Sequence, residues 1–188
     1  MEKERQLEEV LKKNPSVQKI LKRAGELHMP NWYLGAGGIA QTAWNVSHGF
    51  DPEYGIKDYD LVYYDANSTS YEDEDVFIQQ GKELFGDVPV LVEIKNQARV
   101  HLWYEKHFGR PINQYASIEE AISTWPTTAT SVGVRYTNEG LSVFAPFGLD
   151  DLLGMIVRAN KALITKKIYE DKVNRWIKFW PKLRIIPW

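Results

Sequence analysis

The run Asn31-Trp32-Tyr33-Leu34 passes without a spacer into Gly35-Ala36-Gly37-Gly38, and helical character resumes over residues 39–47. A strand that turns straight into a helix on glycines commits the chain to a sheet with a helix packed closely against it. Glycine also lets backbone approach a ligand, and the first N–H groups of the following helix are free to meet an anion. After the turn-rich segment 49–55, residues 57–64 read as a second strand. Strand side chains alternate, so Asp58, Asp60, Val62 and Tyr64 share one face and Tyr59, Leu61 and Tyr63 the other.

The remaining periodicity fills in an α+β architecture. Leu7, Val10 and Leu11 stripe one helix before Pro15, and Val17, Ile20, Leu21 and Ala24 stripe the next. A helix is expected over 70–85, ending near Gly86, then a valine-rich strand over 88–95 and a helix over 98–108 closing at Gly109. Ser117-Ile118-Glu119-Glu120 matches a capping box. Segments 130–136 and 141–144 suit a hairpin around Asn138-Glu139-Gly140. Leu149, Leu152, Leu153 and Ile156 stripe one C-terminal helix, and Tyr169, Val173, Trp176, Ile177 and Trp180 another. The expected fold is a small mixed sheet flanked by helices, in one domain over 1–188. Its parts are N-terminal helices (1–30), a sheet-centred catalytic part (31–145) and C-terminal helices (146–188).

Composition narrows the functional classes. A chain of 188 residues suits one domain with a substantial core. With no cysteine, disulfides, thiolate zinc sites and cysteine nucleophiles are excluded. Charges nearly cancel, at a net −2, which argues against a protein that coats nucleic-acid backbone. The charged start Met1-Glu2-Lys3-Glu4-Arg5 lacks an apolar stretch behind it, and no apolar run approaches the ~20 residues that span a bilayer. The expectation is a cytoplasmic protein without a membrane partner.

Three acids carry the chemistry. Asp58 and Asp60 project from one strand face, and Glu93 stands toward the end of the next expected strand. If those strands pair, three carboxylates converge and repel one another unless a cation joins them. Mg²⁺ (or Mn²⁺) suits such oxygen donors and substrate phosphates together. With a glycine phosphate cradle alongside, this is what nucleotidyl transfer requires.

Gly35, Gly37 and Gly38, then Asp58-Tyr59-Asp60-Leu61, then the strand acid Glu93 resemble the nucleotidyltransferase superfamily typified by DNA polymerase beta. Glu93-Ile94-Lys95-Asn96-Gln97-Ala98-Arg99-Val100-His101-Leu102-Trp103-Tyr104 is closer still. With Thr130-Ser131-Val132-Gly133-Val134-Arg135 and Pro146-Phe147-Gly148-Leu149-Asp150-Asp151-Leu152, it resembles a bacterial nucleotidyltransferase group that is largely uncharacterised. The resemblance implies the superfamily fold, a catalytic and metal triad at Asp58, Asp60 and Glu93, and an NTP substrate held near the glycine turn. It implies no particular acceptor, whether small molecule, protein or RNA. Rival readings are a non-catalytic nucleotide-binding or regulatory module on the same fold, and a toxin–antitoxin-like interaction protein.

Arg99 has two readings, a helix-start role or a reach to the triphosphate, and Arg135 is a phosphate clamp or a surface ion pair. His101 reads as structural. His28, His48 and His107 lack ligand spacing. The C-terminal basic run (Lys161, Lys166, Lys167, Lys172, Arg175, Lys178, Lys182 and Arg184) reads as a solvated helix face over an aromatic core stripe. Its sharper alternative is an acceptor groove.

Overall fold

A computed structural model describes residues 2–188. Two helices open it, α1 (Glu2–Leu11) and α2 (Pro15–Arg23). Asn14 begins α2: its Oδ1 accepts the Val17 N–H at 2.9 Å, and Pro15 occupies the first turn, where its missing N–H costs nothing. The same buried side chain donates from Nδ2 to Thr42 Oγ1 (2.8 Å) and to the Tyr59 hydroxyl (2.9 Å), tying the N-terminal helices to the elements that follow.

Those elements are β1 (Tyr33–Gly35), α3 (Ala36–His48), β2 (Asp58–Tyr63), α4 (Tyr71–Leu84) and β3 (Leu91–Asn96). A short 3₁₀ turn, Gln97–Arg99, leads into α5 (Val100–Phe108), and α6 (Ile118–Ser123) follows. The hairpin is β4 (Gly133–Thr137) and β5 (Gly140–Phe144). The expected capping box starts α6: Ser117 Oγ accepts the Glu120 N–H, while Glu120 reaches back to the Ala116 N–H, one residue earlier than the standard motif.

The five strands form a mixed sheet in the order β3-β2-β1-β4-β5, with β2 and β3 parallel and the other pairs antiparallel. The parallel pair is possible because α4 supplies the long crossover that parallel neighbours need. One sheet face, carrying Leu34, Tyr59, Leu61, Ile94 and Val134, packs into the main core with Leu7, Ile20, Ile39 and Trp44. The other face carries Tyr33 and Val62 against Ile118 and Ile122 of α6, and is only partly covered.

The C-terminal part departs from expectation in one place. The stripe read as a helix over 149–156 yields only α7 (Asp150–Leu153). At Met155 the chain takes a left-handed φ of 55°, which ends the helix and carries a steric cost that only glycine escapes. Ile156–Val157 then forms β6, parallel to β7 (Arg184–Ile185). β-branched residues that looked like a helix stripe are better used here as strand.

The second expected helix is α8 (Lys166–Phe179). Trp176 and Trp180 pack edge-on against Trp44 of α3, with ring centroids 5.3 and 5.5 Å away. Trp180 Nε1 donates to Asn45 Oδ1 at 2.6 Å, and His48 Nε2 accepts the Lys182 N–H at 3.1 Å. These contacts seat α8 alongside α3, over the open part of the sheet.

Candidate active site

Register decides where the acids stand. Across the parallel pair Asp60 lies opposite Glu93, and Val62 opposite Lys95. Across the antiparallel pair, Asp60 lies opposite Gly35. The second acid of β2, the third acid on β3 and the first glycine of the turn therefore form a row across three strands.

Asp60 and Asp58 open into a cleft of about 440 Å³, bounded by the start of α3 (Ala36, Gly37 and Gln41) and by α8. Asp60 is half-buried and Asp58 exposed. Burial pushes the Asp60 carboxyl up to about 6; Lys95 works against that rise, while Asp58 and Glu93 add to it. Glu93 itself turns to Lys95, 2.8 Å away, and does not line the cleft. Among the described residues, no three His, Asp or Glu side chains already gather into a group that could hold a metal ion.

The donor set nonetheless fits a divalent cation. Asp58 and Asp60 offer hard oxygen donors two residues apart on one strand face, which leaves room for substrate oxygens and water. Mg²⁺ is commonly held that way, by one or two carboxylates with phosphates completing the shell. The rise of the Asp60 carboxyl comes first from burial and then from Asp58 and Glu93, and a bound cation would oppose it.

The glycines divide by role. A Cβ on Gly35 would lie 2.5 Å from the Val132 carbonyl oxygen, and one on Gly38 2.6 Å from the Tyr59 ring. Both are there for close packing. Gly37 is the one that lines the cleft, and a Cβ there would meet only the flexible Gln41 amide. Ala36, between them, holds a left-handed φ of 55°, and its N–H donates to the Val132 carbonyl at 3.1 Å. Helix α3 begins with no side-chain cap, so the N–H groups of its first turn have no capping side chain beside the cleft.

The two arginines stand elsewhere. Arg99 is buried: it ion-pairs with Glu74, donates to the Thr69 carbonyl at 2.9 Å and lies 5.7 Å from the Tyr71 ring centre. Glu74 in turn accepts the Asn96 N–H at 2.7 Å. Arg99 makes no side-chain cap at the helix start, where Asn96 accepts the Ala98 N–H instead, and its donors are engaged away from the cleft. Arg135 stacks on Tyr33, 4.8 Å from the ring centre, and does not line the cleft. His101 does not line it either, and its Nδ1 is buried with no hydrogen-bond partner among the described residues.

Sequence reasoning named Lys172 and Arg175 only within the basic run, read as a solvated face with an acceptor groove as its alternative, and these two do face the acids. Both line the cleft from α8. Burial lowers the Lys172 ammonium below its usual range, with Arg175 adding to the drop, while Asp60 and Asp58 pull the other way. The rest of the basic run behaves as a solvated face: Lys167 pairs with Asp171 and Lys166 with Glu170. The signal was present in the helical stripe. Lys172 sits one turn from Trp176, on the flank of the buried face.

With this geometry in hand, comparison with known proteins decides the family. A nucleotidyltransferase family model matches residues 22–185. The chain belongs to the nucleotidyltransferase family. No curated protein matches it in sequence. A solved structure described as revealing a CCA-adding enzyme head domain is similar over 96% of each chain, with a TM-score of 0.77 and 24% identity, and supports the nucleotidyltransferase fold.

Proposed function

We propose that this nucleotidyltransferase moves a nucleoside monophosphate from an NTP to a hydroxyl acceptor, with Asp58 and Asp60 holding Mg²⁺ in the cleft and pyrophosphate as the leaving group. The observation that carries the reading is the Asp60 carboxylate, register-paired with Glu93, adjacent to Asp58 and facing the uncapped start of α3. When bound, the metal would neutralise phosphate charge and lower the pKa of the attacking hydroxyl.

The protein's own groups then have definable tasks. The start of α3 at Gly37 offers backbone N–H groups to phosphate oxygens. Lys172 and Arg175 set positive charge opposite the acids, where a triphosphate adds negative charge during transfer. Glu93, half-exposed and register-paired with Asp60, would complete the metal's ligands or take the proton of the acceptor hydroxyl once released from Lys95. Arg99 and Arg135 have no part in this scheme.

Thermal unfolding with each NTP, with and without Mg²⁺, tests it. A ligand at 100 times its Kd should stabilise the fold by about 2.7 kcal/mol. A Mg²⁺-dependent shift that disappears in Asp60→Asn is the expected result. No shift with any nucleotide in the wild-type protein would overturn the reading.

A further inference from the structure

The cleft changes character along its length. On β2, Asp58, Asp60 and Val62 follow one another on the cleft face, roughly 7 Å apart. Helix α8 lies over that row and changes in step: Arg175 and Lys172 line the acidic stretch and Ile168 lies beyond them. Past Val62 and Ile168 the walls are Val100, Tyr104, Phe108, Tyr115, Leu163 and Ile164. The polar tips of the two tyrosines are tied back, Tyr104 to the Leu163 carbonyl and Tyr115 to Thr124 Oγ1, so their rings present apolar surface. Of the charged side chains in the cleft, Asp58, Asp60, Lys172 and Arg175 belong to the other stretch, and Lys95, opposite Val62 at the border, turns back to Glu93.

Beyond Asp58, in the opposite direction, a second groove of about 80 Å³ shares Gln41, Asp58, Arg175 and Trp176 with the cleft and adds Lys57. The site thus has a cationic end, an acidic middle and an aromatic, uncharged end. In phosphoryl transfer the attacking and leaving oxygens stand roughly in line across the phosphorus. With the α-phosphorus at Asp58 and Asp60, the pyrophosphate leaves toward the cations at Arg175 and Lys57. The attacking hydroxyl must then come from the aromatic end.

We propose that this aromatic end is the acceptor subsite, and that the acceptor is a small molecule whose flat, uncharged, largely apolar body carries the attacking hydroxyl. This rests on the nucleotidyl-transfer reading and names its substrate class. The acceptor oxygen forms a bond to the α-phosphorus, the bond from that phosphorus to the bridging oxygen breaks, pyrophosphate departs, and the hydroxyl proton passes to a carboxylate of the acidic stretch. A polynucleotide acceptor would bring a phosphate backbone to walls that carry no charged side chain among the described residues; Arg110, beside them, stands outside the lining with its guanidinium turned to the Leu163 carbonyl. Gln97 adds a specific contact. It is 5% exposed and lines the cleft, and its amide makes no hydrogen bond among the described residues, so it is free to pair with a polar group on the acceptor.

The test uses 2-naphthol, a flat aromatic alcohol, titrated against the full chain by tryptophan fluorescence, with thermal shift by Mg²⁺·NTP measured in parallel. Expected is saturable naphthol binding that persists at saturating Mg²⁺·NTP. Ile168→Arg should weaken naphthol binding at least tenfold and leave the nucleotide shift in place. Leu163→Gln serves the same purpose should the first variant fold poorly. Loss of naphthol binding in competition with NTP would overturn the proposal, because this end would then seat the nucleobase. Displacement of naphthol by a single-stranded RNA 12-mer would overturn it in favour of a polynucleotide acceptor. Absence of saturable binding would overturn it as well. Naphthol binding without any nucleotide shift would sink the transfer reading instead, and the acceptor role with it.

Discussion

Lys172 on α8 and Asp60 on β2 line the same cleft, and each acts on the other's proton affinity: the ammonium draws the carboxyl down and the carboxylate draws the ammonium up. In both cases burial outweighs the partner, so each charge remains underserved. A site with unmet charge of both signs is suited to a substrate that carries phosphate and metal together.

Asp60→Asn should therefore abolish transfer while leaving the fold intact. The loss expected is at least about 10²–10³-fold, on the scale of removing one well-placed electrostatic group from a transition state. Pyrophosphate release with each NTP, together with circular dichroism, measures both halves. Turnover at the wild-type rate would end the assignment of Asp60.

Metal-free stability should fall with rising pH on account of the same residue. Because the folded carboxyl is raised from 3.8 to about 6, its contribution is full below about pH 4 and is lost as pH climbs through 6. The difference amounts to at most about 3 kcal/mol, since one unit corresponds to 1.36 kcal/mol. Urea unfolding at pH 5 and pH 8 with a chelator present should show the decline in the wild type and not in Asp60→Asn. Equal slopes in the two proteins would contradict the burial of that carboxylate.

Lys172→Met should weaken Mg²⁺·NTP binding by about tenfold, or about 1.4 kcal/mol, because it removes a poorly solvated cation aimed at the phosphates. Lys167→Met, on the solvent face of the same helix and paired with Asp171, should change affinity by less than twofold. Titration of the nucleotide against both variants separates a cleft cation from a general effect of charge.

Arg99→Met should cost stability, not nucleotide affinity. It strands the buried Glu74 carboxylate, and breaking one side of a buried pair typically costs about 3–5 kcal/mol. Glu74→Gln in the same chain should return part of the loss. A variant of normal stability with weakened NTP binding would restore Arg99 to the substrate site.

Gly38→Ala should destabilise by about 1–3 kcal/mol, the usual cost of forcing an extra carbon into a packed interior. Its Cβ would stand 2.6 Å from a ring carbon of Tyr59, whose hydroxyl is held by Asn14. Ala36→Gly should do the reverse and stabilise by about 1 kcal/mol, since it relieves a left-handed alanine. Denaturant midpoints decide both.

Part of the candidate site was legible in the chain itself because it depends on short periods. Alternation on β2 puts Asp58 and Asp60 on one face whatever the rest of the fold does, and a glycine turn after a short strand announces the start of α3. Pairing of β2 with β3 was only a condition, and the crossover α4 met it. Arg99 illustrates the opposite case. Its neighbours suggested either a helix start or a phosphate ligand, and the partner that does engage it, Glu74, lies twenty-five residues away.

By itself the sequence determined most of the elements, the faces of the strands and the residue types available for chemistry, because these follow from local period and side-chain identity. Tertiary structure decided which charges share a cleft. It brought Lys172 and Arg175 over the acids through the seating of α8 on Trp44 and Asn45, and it turned Ile156 and Val157 from an expected helix into a strand that pairs with the C-terminal segment. Such partners are separated by many residues in the chain, and the free energy that joins them comes from burying surfaces no local pattern describes.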